Sequence, residues 1–262
     1  MSKGVQSVER AFALLELLGG AVESMGLSEL ALHSDLPMGT VHRLLNTMVS
    51  LGYVEQDHET RKYALGIRLL HLRGAVTSRL NLGAHAMPIM KSLMRRVNET
   101  VHLAVLNQGE VVYIDRVEGF QTLGMYTQIG KRAPVHCTAL GKVLLAHAAE
   151  DVLRQAVERH GLPRHTAKTL TEVEALRADL ACIRERGYAL DDEESEYGVR
   201  CVAAPVRDYR GNVIAAVSIS GPAARVRPER DPELGAEVCW AAQRISEGLG
   251  YISPRSDHDR RR

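Results

Sequence analysis

Thr40, Arg43, Asn46, Thr47 and Ser50 fall along one side of a helical pitch, while Val41, Leu44, Leu45 and Met48 fall at i, i+3, i+4, i+7 on the other. The first set is a row of hydrogen-bonding groups without a carboxylate. Arg can bond guanine, Asn can bond adenine, and Thr or Ser can reach phosphates or base edges, which is the chemistry of a helix laid in a major groove. Pro37 is expected at the first helical position, where its missing N–H costs nothing. The exposed N-terminal turn then holds Met38, Gly39, Thr40, His42 and Arg43, and Gly39 lets the backbone approach a duplex. Met38, Gly39, Thr40, His42, Arg43, Asn46 and Thr47 are therefore the candidate DNA-contacting residues. Spacing alone describes an ordinary amphipathic core helix equally well.

The neighbouring elements decide between these readings. Leu27 begins a short apolar-faced helix that ends at an Asp35-Leu36-Pro37 turn, so the two helices read as a helix-turn-helix. Upstream, Val8, Phe12, Leu15 and Leu18 give a further helix ended by Gly19 and Gly20, with Glu9, Arg10 and Glu16 on its far side. After Gly52, Tyr53 to Gln56 and Arg61 to Leu65 are β-prone runs around Asp57, His58, Glu59 and Thr60, which read as a wing. Arg61, on that wing, joins the DNA-contacting candidates. Residues 1–66 are thus expected to form a winged helix-turn-helix.

A linker helix is expected over 67–82; its Leu69, Leu70, Leu72 and Val76 pack either on a partner chain or on their own winged domain. The next helix, Gly83 to Val97, has Pro88 early, Ile89, Leu93 and Val97 inward, and Lys91, Arg95 and Arg96 outward.

Composition bounds the partners. The 262 residues are 45% hydrophobic and 25% charged, enough for one or two globular domains with a substantial core. No apolar run approaches the roughly 18 residues that span a bilayer, and no signal-peptide pattern opens the chain, so a cytoplasmic protein without membrane partners is expected. Four scattered cysteines, Cys137, Cys182, Cys201 and Cys239, contain no C-x-x-C pair and predict reduced thiols. Net charge is only +1, and acidic and basic residues also balance within the first eighty positions. A near-neutral reader neutralises few phosphates, so two or more copies on DNA are needed for strong binding. A homodimer on a palindromic operator follows.

From Thr100 the pattern alternates: Val101, Leu103 and Val105, a turn at Asn107 to Glu110, then Val112 and Ile114 predict an antiparallel hairpin. Further strands are expected at Thr122–Gln128, Tyr188–Asp191, Arg200–Val206 and Val213–Ser220. Helices are expected at Thr138–Ala148, Asp151–Arg159, Glu172–Arg186 and Pro232–Leu249, with Thr171 and Glu174 as a capping box. The class is α+β with a mainly antiparallel sheet over 83–252. The polar tail 253–262 is expected to be disordered.

This second region holds a candidate anion site. Thr138 reads as an N-cap, which would leave the amides of Ala139, Leu140 and Gly141 at the positive end of a helix, where a carboxylate is stabilised. Ser218 and Ser220 stand two apart on an apolar strand, so both hydroxyls face one side and need partners there, from a ligand or from neighbouring backbone.

Catalytic readings fare worse. Gly141-Lys142 resembles part of a P-loop, but His136 stands where Gly is needed and Val143 where Ser or Thr is needed. Cys201, His136 and Asp191 could form a triad, yet an apolar strand around the cysteine favours a buried structural thiol. His136 and Cys137 are metal-ligand types, but adjacent side chains on an extended segment point apart. No catalytic residue, no metal and no cofactor is therefore expected, with a thiol redox sensor or small-molecule enzyme built on Cys201 as the alternative.

The order of several segments resembles the IclR family of bacterial transcriptional regulators over nearly the whole chain. The carriers are Val5-Gln6-Ser7-Val8-Glu9-Arg10-Ala11, Thr40-Val41-His42-Arg43-Leu44-Leu45, Tyr63-Ala64-Leu65-Gly66 and Pro134-Val135-His136-Cys137-Thr138-Ala139-Leu140-Gly141-Lys142. Gly187 to Glu194, Gly198 to Val206 and Ser218 to Pro222 complete them. The resemblance implies a winged-helix domain joined to a GAF-like domain that binds a small organic-acid effector, working as a dimer or a dimer of dimers. It also implies that Asp191, Cys201, Ser218 and Ser220, with the amides of Ala139 and Leu140, line the effector pocket. Met125, Ala133 and Thr122 match wall positions, Thr122 replacing a larger apolar residue of some members. A carboxylate at Asp191 would repel an anionic ligand, so Asp191 either accepts a bond from an effector hydroxyl or is itself protonated by desolvation.

Overall fold

The computed structural model describes residues 5–21, 23–72, 82–120 and 127–252. It divides into two compact units, residues 1–80 and 81–262. The expected strand Thr122–Gln128 falls mostly outside the described residues, as do the greater part of the linker helix and all of the tail. Residues 68–72 are helical.

In the first unit α1 (Gln6–Gly20), α2 (Leu27–Ser34) and α3 (Met38–Ser50) precede an antiparallel pair, β1 (Val54–Gln56) and β2 (Tyr63–Leu65). Leu14, Leu18, Leu30, Val41, Leu45, Met48, Val54 and Tyr63 form the core. The α1 stripe is offset from its expectation: Leu14 and Leu18 are buried, whereas Val8 and Phe12 are 50% and 61% exposed. The three-helix core is too narrow to cover a second stripe. α2 ends because Asp35 adopts a left-handed conformation, φ 52° and ψ 37°. That bend aims the chain into α3, whose N-cap is Pro37, so the helix starts at Met38, one residue later than expected. The wing is closed by Asp57, whose Oδ1 accepts from the amides of Glu59 and Thr60 and from the Thr60 hydroxyl.

The second unit holds a six-stranded antiparallel sheet between helices. α4 (Leu82–Val97) leads into β3 (Thr100–Asn107) and β4 (Glu110–Val117); β5 (Arg132–Ala133), α5 (Ala139–Ala146), α6 (Glu150–His160) and α7 (Val173–Arg186) follow. β6 (Ala189–Asp192), β7 (Val199–Arg207), β8 (Val213–Pro222) and α8 (Asp231–Gly248) complete it, in the sheet order β5-β4-β3-β8-β7-β6. One sheet face, with Val101, Leu103, Val202, Ala204, Val217 and Ile219, packs on α4 and α8. The opposite face packs on α5 and α7. The buried face of α4 includes the expected Leu93 and Val97 but is wider than expected: Met90 and Met94 are buried with them, and Ile89 packs half-buried against the same core. Arg96 there is an ion-pair partner of Glu237 (2.6 Å) and stacks on Trp240.

The expected capping box at Thr171 does not form. Glu172 is the N-cap of α7 and makes no side-chain cap bond, while Thr171 Oγ1 accepts from Arg164 and Glu174 pairs with Arg177. Two ready guanidinium donors outcompete the box.

Candidate functional site

Two polar surfaces carry the candidate chemistry, one in each unit. On α3, Met38, Gly39, His42, Arg43, Asn46 and Thr47 are exposed and Thr40 is half-exposed, because Val41, Leu45 and Met48 turn the other face into the core. The Asn46 amide lies 3.4 Å from His42 Nε2, so these two side chains present one hydrogen-bonding unit. Thr47 Oγ1 donates to the Arg43 carbonyl at 3.0 Å, which leaves only its lone pairs for a partner. Arg61 is exposed on the wing in a left-handed conformation, φ 59°.

The second surface is largely buried, with Cys201 half-buried within it. Cross-strand register aligns Asp191, Cys201, Ser220 and Thr100 in one row across four strands, and Ala203, Ser218 and His102 in the next. Directly paired residues share a face, so both rows look toward α5 and α7. Asp191, Ser218, Ser220, Thr100 and His102 are all buried. The serine hydroxyls lie 3.4 Å apart and Ser220 Oγ lies 3.3 Å from His102 Nδ1. Side chains thus supply the partners that backbone or a ligand was expected to supply. Among the described residues Nε2 of His102 has no partner, and Tyr113 meets the ring edge-on with centroids 5.2 Å apart.

Sequence reasoning missed His102 and Tyr113. Their only signal was that Thr100 and His102 alternate with the apolar residues of β3, and which strand lies beside β3 is not written locally.

Ala139 and Leu140, both buried, open α5 beside this face. Thr138 caps the helix as expected, but its Oγ1 accepts from the Gly141 amide at 3.2 Å, so that amide is not free. The amides of Ala139 and Leu140 remain first-turn donors without an intrahelical acceptor. Gly141 is required by close packing: a Cβ there would sit 2.3 Å from Val135 Cα. Next to it, buried Lys142 pairs with Glu194 (2.5 Å) and Asp179 (2.8 Å), tying α5 to α7 and to the turn after β6. That ion cluster is what the apparent P-loop lysine does. Ala133, half-buried in β5, registers with Val111 on the same face. Met125 and Thr122 lie outside the described residues.

Electrostatics at this site follow from burial. Desolvation, reinforced by Glu194, pushes the Asp191 carboxyl up to about 7, although its Oδ1 accepts from the Glu194 and Ser195 amides. Burial brings His102 down to about 4, helped by Arg116, and raises the Tyr113 and Cys201 groups well above their usual values. The site is therefore a neutral imidazole, a thiol, four hydroxyls on the sheet and a carboxyl poised between its two forms. A protonated Cys201 is a poor nucleophile. His136, the base proposed for a triad, instead lies 3.0 Å from the Pro163 carbonyl through Nε2.

One geometric expectation is overturned. Residues 135–138 form bends rather than an extended run, so His136 and Cys137 do not diverge; their ligating atoms lie with one of His165 inside a span of 4.8 Å.

Among the described residues no helix is long and apolar enough to cross a membrane. The model for the IclR helix-turn-helix domain matches residues 7–58, and that for the bacterial transcriptional regulator IclR C-terminal region matches 74–247. The HTH-type transcriptional regulator KdgR of Escherichia coli is 41% identical over 247 residues, covering 94% of either chain. The transcriptional repressor IclR of the same species is 38% identical, covering 94% of this chain and 90% of its own. An IclR homologue from Microbacterium hydrocarbonoxydans, crystallised with 4-hydroxybenzoate, superposes with a TM-score of 0.83 at 31% identity, covering 93% of this chain and 98% of its own. These relatives are regulators of transcription and not enzymes. With both family models matched in order and a 41% identical regulator aligned over 94% of its length, this chain, a winged helix-turn-helix followed by an antiparallel-sheet domain, belongs to the IclR family of DNA-binding transcriptional regulators.

Proposed function

We propose that the protein is an effector-responsive regulator that binds a palindromic operator as a dimer and changes its operator affinity when a small organic acid enters the effector domain. The carrying observation is the double row of buried Asp191, Ser218, Ser220 and His102 with half-buried Cys201 beneath the N-terminus of α5. Hydroxyls, a neutral imidazole whose Nε2 is unpartnered among the described residues and two helix-end amides suit a ligand that carries one carboxylate and at least one hydroxyl. A small hydroxy acid such as the 4-hydroxybenzoate of the Microbacterium homologue has that chemistry. Asp191, whose carboxyl burial raises to about 7, then donates in its protonated form to the acid instead of repelling it.

On the DNA side, Met38, Gly39, Thr40, His42, Arg43, Asn46, Thr47 and Arg61 meet the duplex, Arg43 and Asn46 at base edges. Two copies are favoured by the near-neutral charge and by exposed Val8 and Phe12 on α1 with Val5 at its N-cap, an apolar stripe on a unit of small core. The region 67–82 carries the effector signal between the parts 1–66 and 83–252, and the protein acts in the cytoplasm, where its operator lies.

A gel-shift series on the operator, with hydroxy acids preselected by thermal stabilisation of the protein, tests the coupling. At least one stabilising acid shifts operator affinity. If every such acid leaves it unchanged, the coupling is wrong, because a ligand moves an equilibrium only by binding its two states unequally.

A further inference from the structure

His136, Cys137 and His165 have no task in the effector reading, yet they converge just before α5. The three ligating atoms lie within 4.8 Å of one another, and a tetrahedral metal with bonds of about 2.0–2.3 Å needs them roughly 3.3–3.8 Å apart. The exposed His165 side chain is the one with room to move in by that difference. His136 is 2% exposed, and its Nε2 lies 3.0 Å from the Pro163 carbonyl oxygen. A carbonyl accepts only from a protonated nitrogen, so the tautomer is fixed and Nδ1 keeps a bare lone pair. Metal-bound histidines are held in this way, by giving the other ring N–H to a backbone carbonyl.

The loop that brings His165 is already pinned. Thr169 Oγ1 accepts from the amides of His165 (3.1 Å) and Thr166 (2.8 Å) and donates to the Glu194 carbonyl (2.6 Å). Thr166 Oγ1 in turn donates to the Glu193 carbonyl at 2.7 Å. The His136 and His165 rings stand 5.9 Å apart, and His165 is exposed, which provides an entry path for an ion. Cys137 is fully buried beneath them.

We infer that His136, Cys137 and His165 form a binding site for a borderline-soft divalent metal, zinc by the character of its nitrogen and sulfur ligands, with a fourth position open to water. Binding replaces the thiol proton: the Cys137 S–H bond breaks, a sulfur–zinc bond forms and one proton passes to solvent. Cys137 directly precedes the Thr138 cap, so the ion would stiffen the turn that presents the Ala139 and Leu140 amides. The site itself does not depend on the effector reading.

Cobalt is the probe. The full chain, stripped with chelator and titrated with Co²⁺, is expected to bind one ion per chain with a thiolate charge-transfer band in the near ultraviolet and the intense visible bands of tetrahedral cobalt. Zinc displaces the colour, and a weakly buffered solution acidifies by one proton per ion. Cys137→Ser removes the charge-transfer band. His165→Ala, at an exposed position that leaves the circular dichroism unchanged, weakens binding at least tenfold, since even outer-shell losses cost about 10–100-fold. Octahedral cobalt spectra, a thiolate band that survives Cys137→Ser, or unaltered affinity in His165→Ala would each overturn the assignment.

Discussion

The outer face of α3 and the inner rows of the effector sheet are built from similar residue types, hydroxyls, a histidine and a charged group, but one lies in water and the other is largely buried. On α3 each polar group satisfies itself with solvent or a neighbour, so its presence costs nothing and its removal changes only what the helix can touch. Within the effector domain every polar atom must find a partner or impose a desolvation cost of about 1–3 kcal/mol. Polar residues on α3 therefore inform about binding alone, whereas those inside inform about stability and binding together.

The sharpest way to break that contrast is Lys142→Met. Lys142 is among the buried cations, and desolvation opposes its charge while Glu194 and Asp179 more than offset that and raise its pKa. Removing it leaves two carboxylates against each other at the start of α5. Urea unfolding should show a loss of about 3–5 kcal/mol, the usual result of orphaning a buried pair. A loss below roughly 1 kcal/mol would mean that Glu194, whose own pKa burial already raises, simply takes up a proton.

Arg43→Ala is the matching change outside. Thermal stability should stay within the spread of surface substitutions, while operator affinity falls by about 1–3 kcal/mol and specificity relaxes at one base position. An equal loss on random DNA would make Arg43 a phosphate contact and shorten the list of base readers to Asn46 and its neighbours.

A third test uses pH. Asp191 has its folded-state pKa raised to about 7 from 3.8, so its contribution to stability is fully present below 3.8 and is lost as pH rises through about 7. His102 and His147, lowered to about 4 from 6.5, act oppositely: unfolded chains take up protons that the native state refuses, and stability is lost as pH falls from 6.5 toward 4. The opposed slopes partly cancel in the parent protein. Asp191→Asn should expose the histidine slope as a steeper fall in melting temperature between pH 6.5 and 4. Affinity for an anionic probe such as 4-hydroxybenzoate should drop as pH rises through about 7, by up to about tenfold per unit, and lose that dependence in Asp191→Asn. A probe affinity flat from pH 6 to 8 would remove Asp191 from the site.

The same contrast explains what could be read from the chain. α3 was legible because its two faces obey one local period: Val41, Leu45 and Met48 inward, Arg43, Asn46 and Thr47 outward. Ser218 and Ser220 were legible as a same-face pair for the same reason, a period of two on β8. His102 and Tyr113 were not, because what makes them part of the site is the pairing of β3 with β8 and β4, strands separated by over a hundred residues in the first case. On α1 the apolar stripe is wider than the surface that covers it, so Val8 and Phe12 stay exposed, whereas on α4 packing on both the sheet and α8 buries more of the helix than one stripe. His136 and Cys137 were misjudged by assuming an extended backbone where the chain bends, and His165 came from a loop with no pattern at all.

The finest distinction lies within α3 itself. Thr47 stands one turn beyond Arg43 and looks like an equal reader, yet its hydroxyl proton is already given to the Arg43 carbonyl at 3.0 Å. Only its lone pairs face outward, and they can accept from a base amino group or from nothing. Thr47→Val keeps the shape and removes those lone pairs, so operator affinity should fall by at most about 0.5–1.5 kcal/mol, the worth of one ordinary hydrogen bond. Arg43→Ala with Thr47→Val should then be additive, because the hydroxyl leans on the backbone of residue 43 and not on its side chain. A loss as large as that of Arg43→Ala, or strong non-additivity in the double variant, would show that the hydroxyl abandons the carbonyl on DNA and donates to an acceptor in the groove. The contrast drawn above would then hold for the free protein only, with the outer face rearranging its bonds on binding much as the inner one does on receiving its ligand.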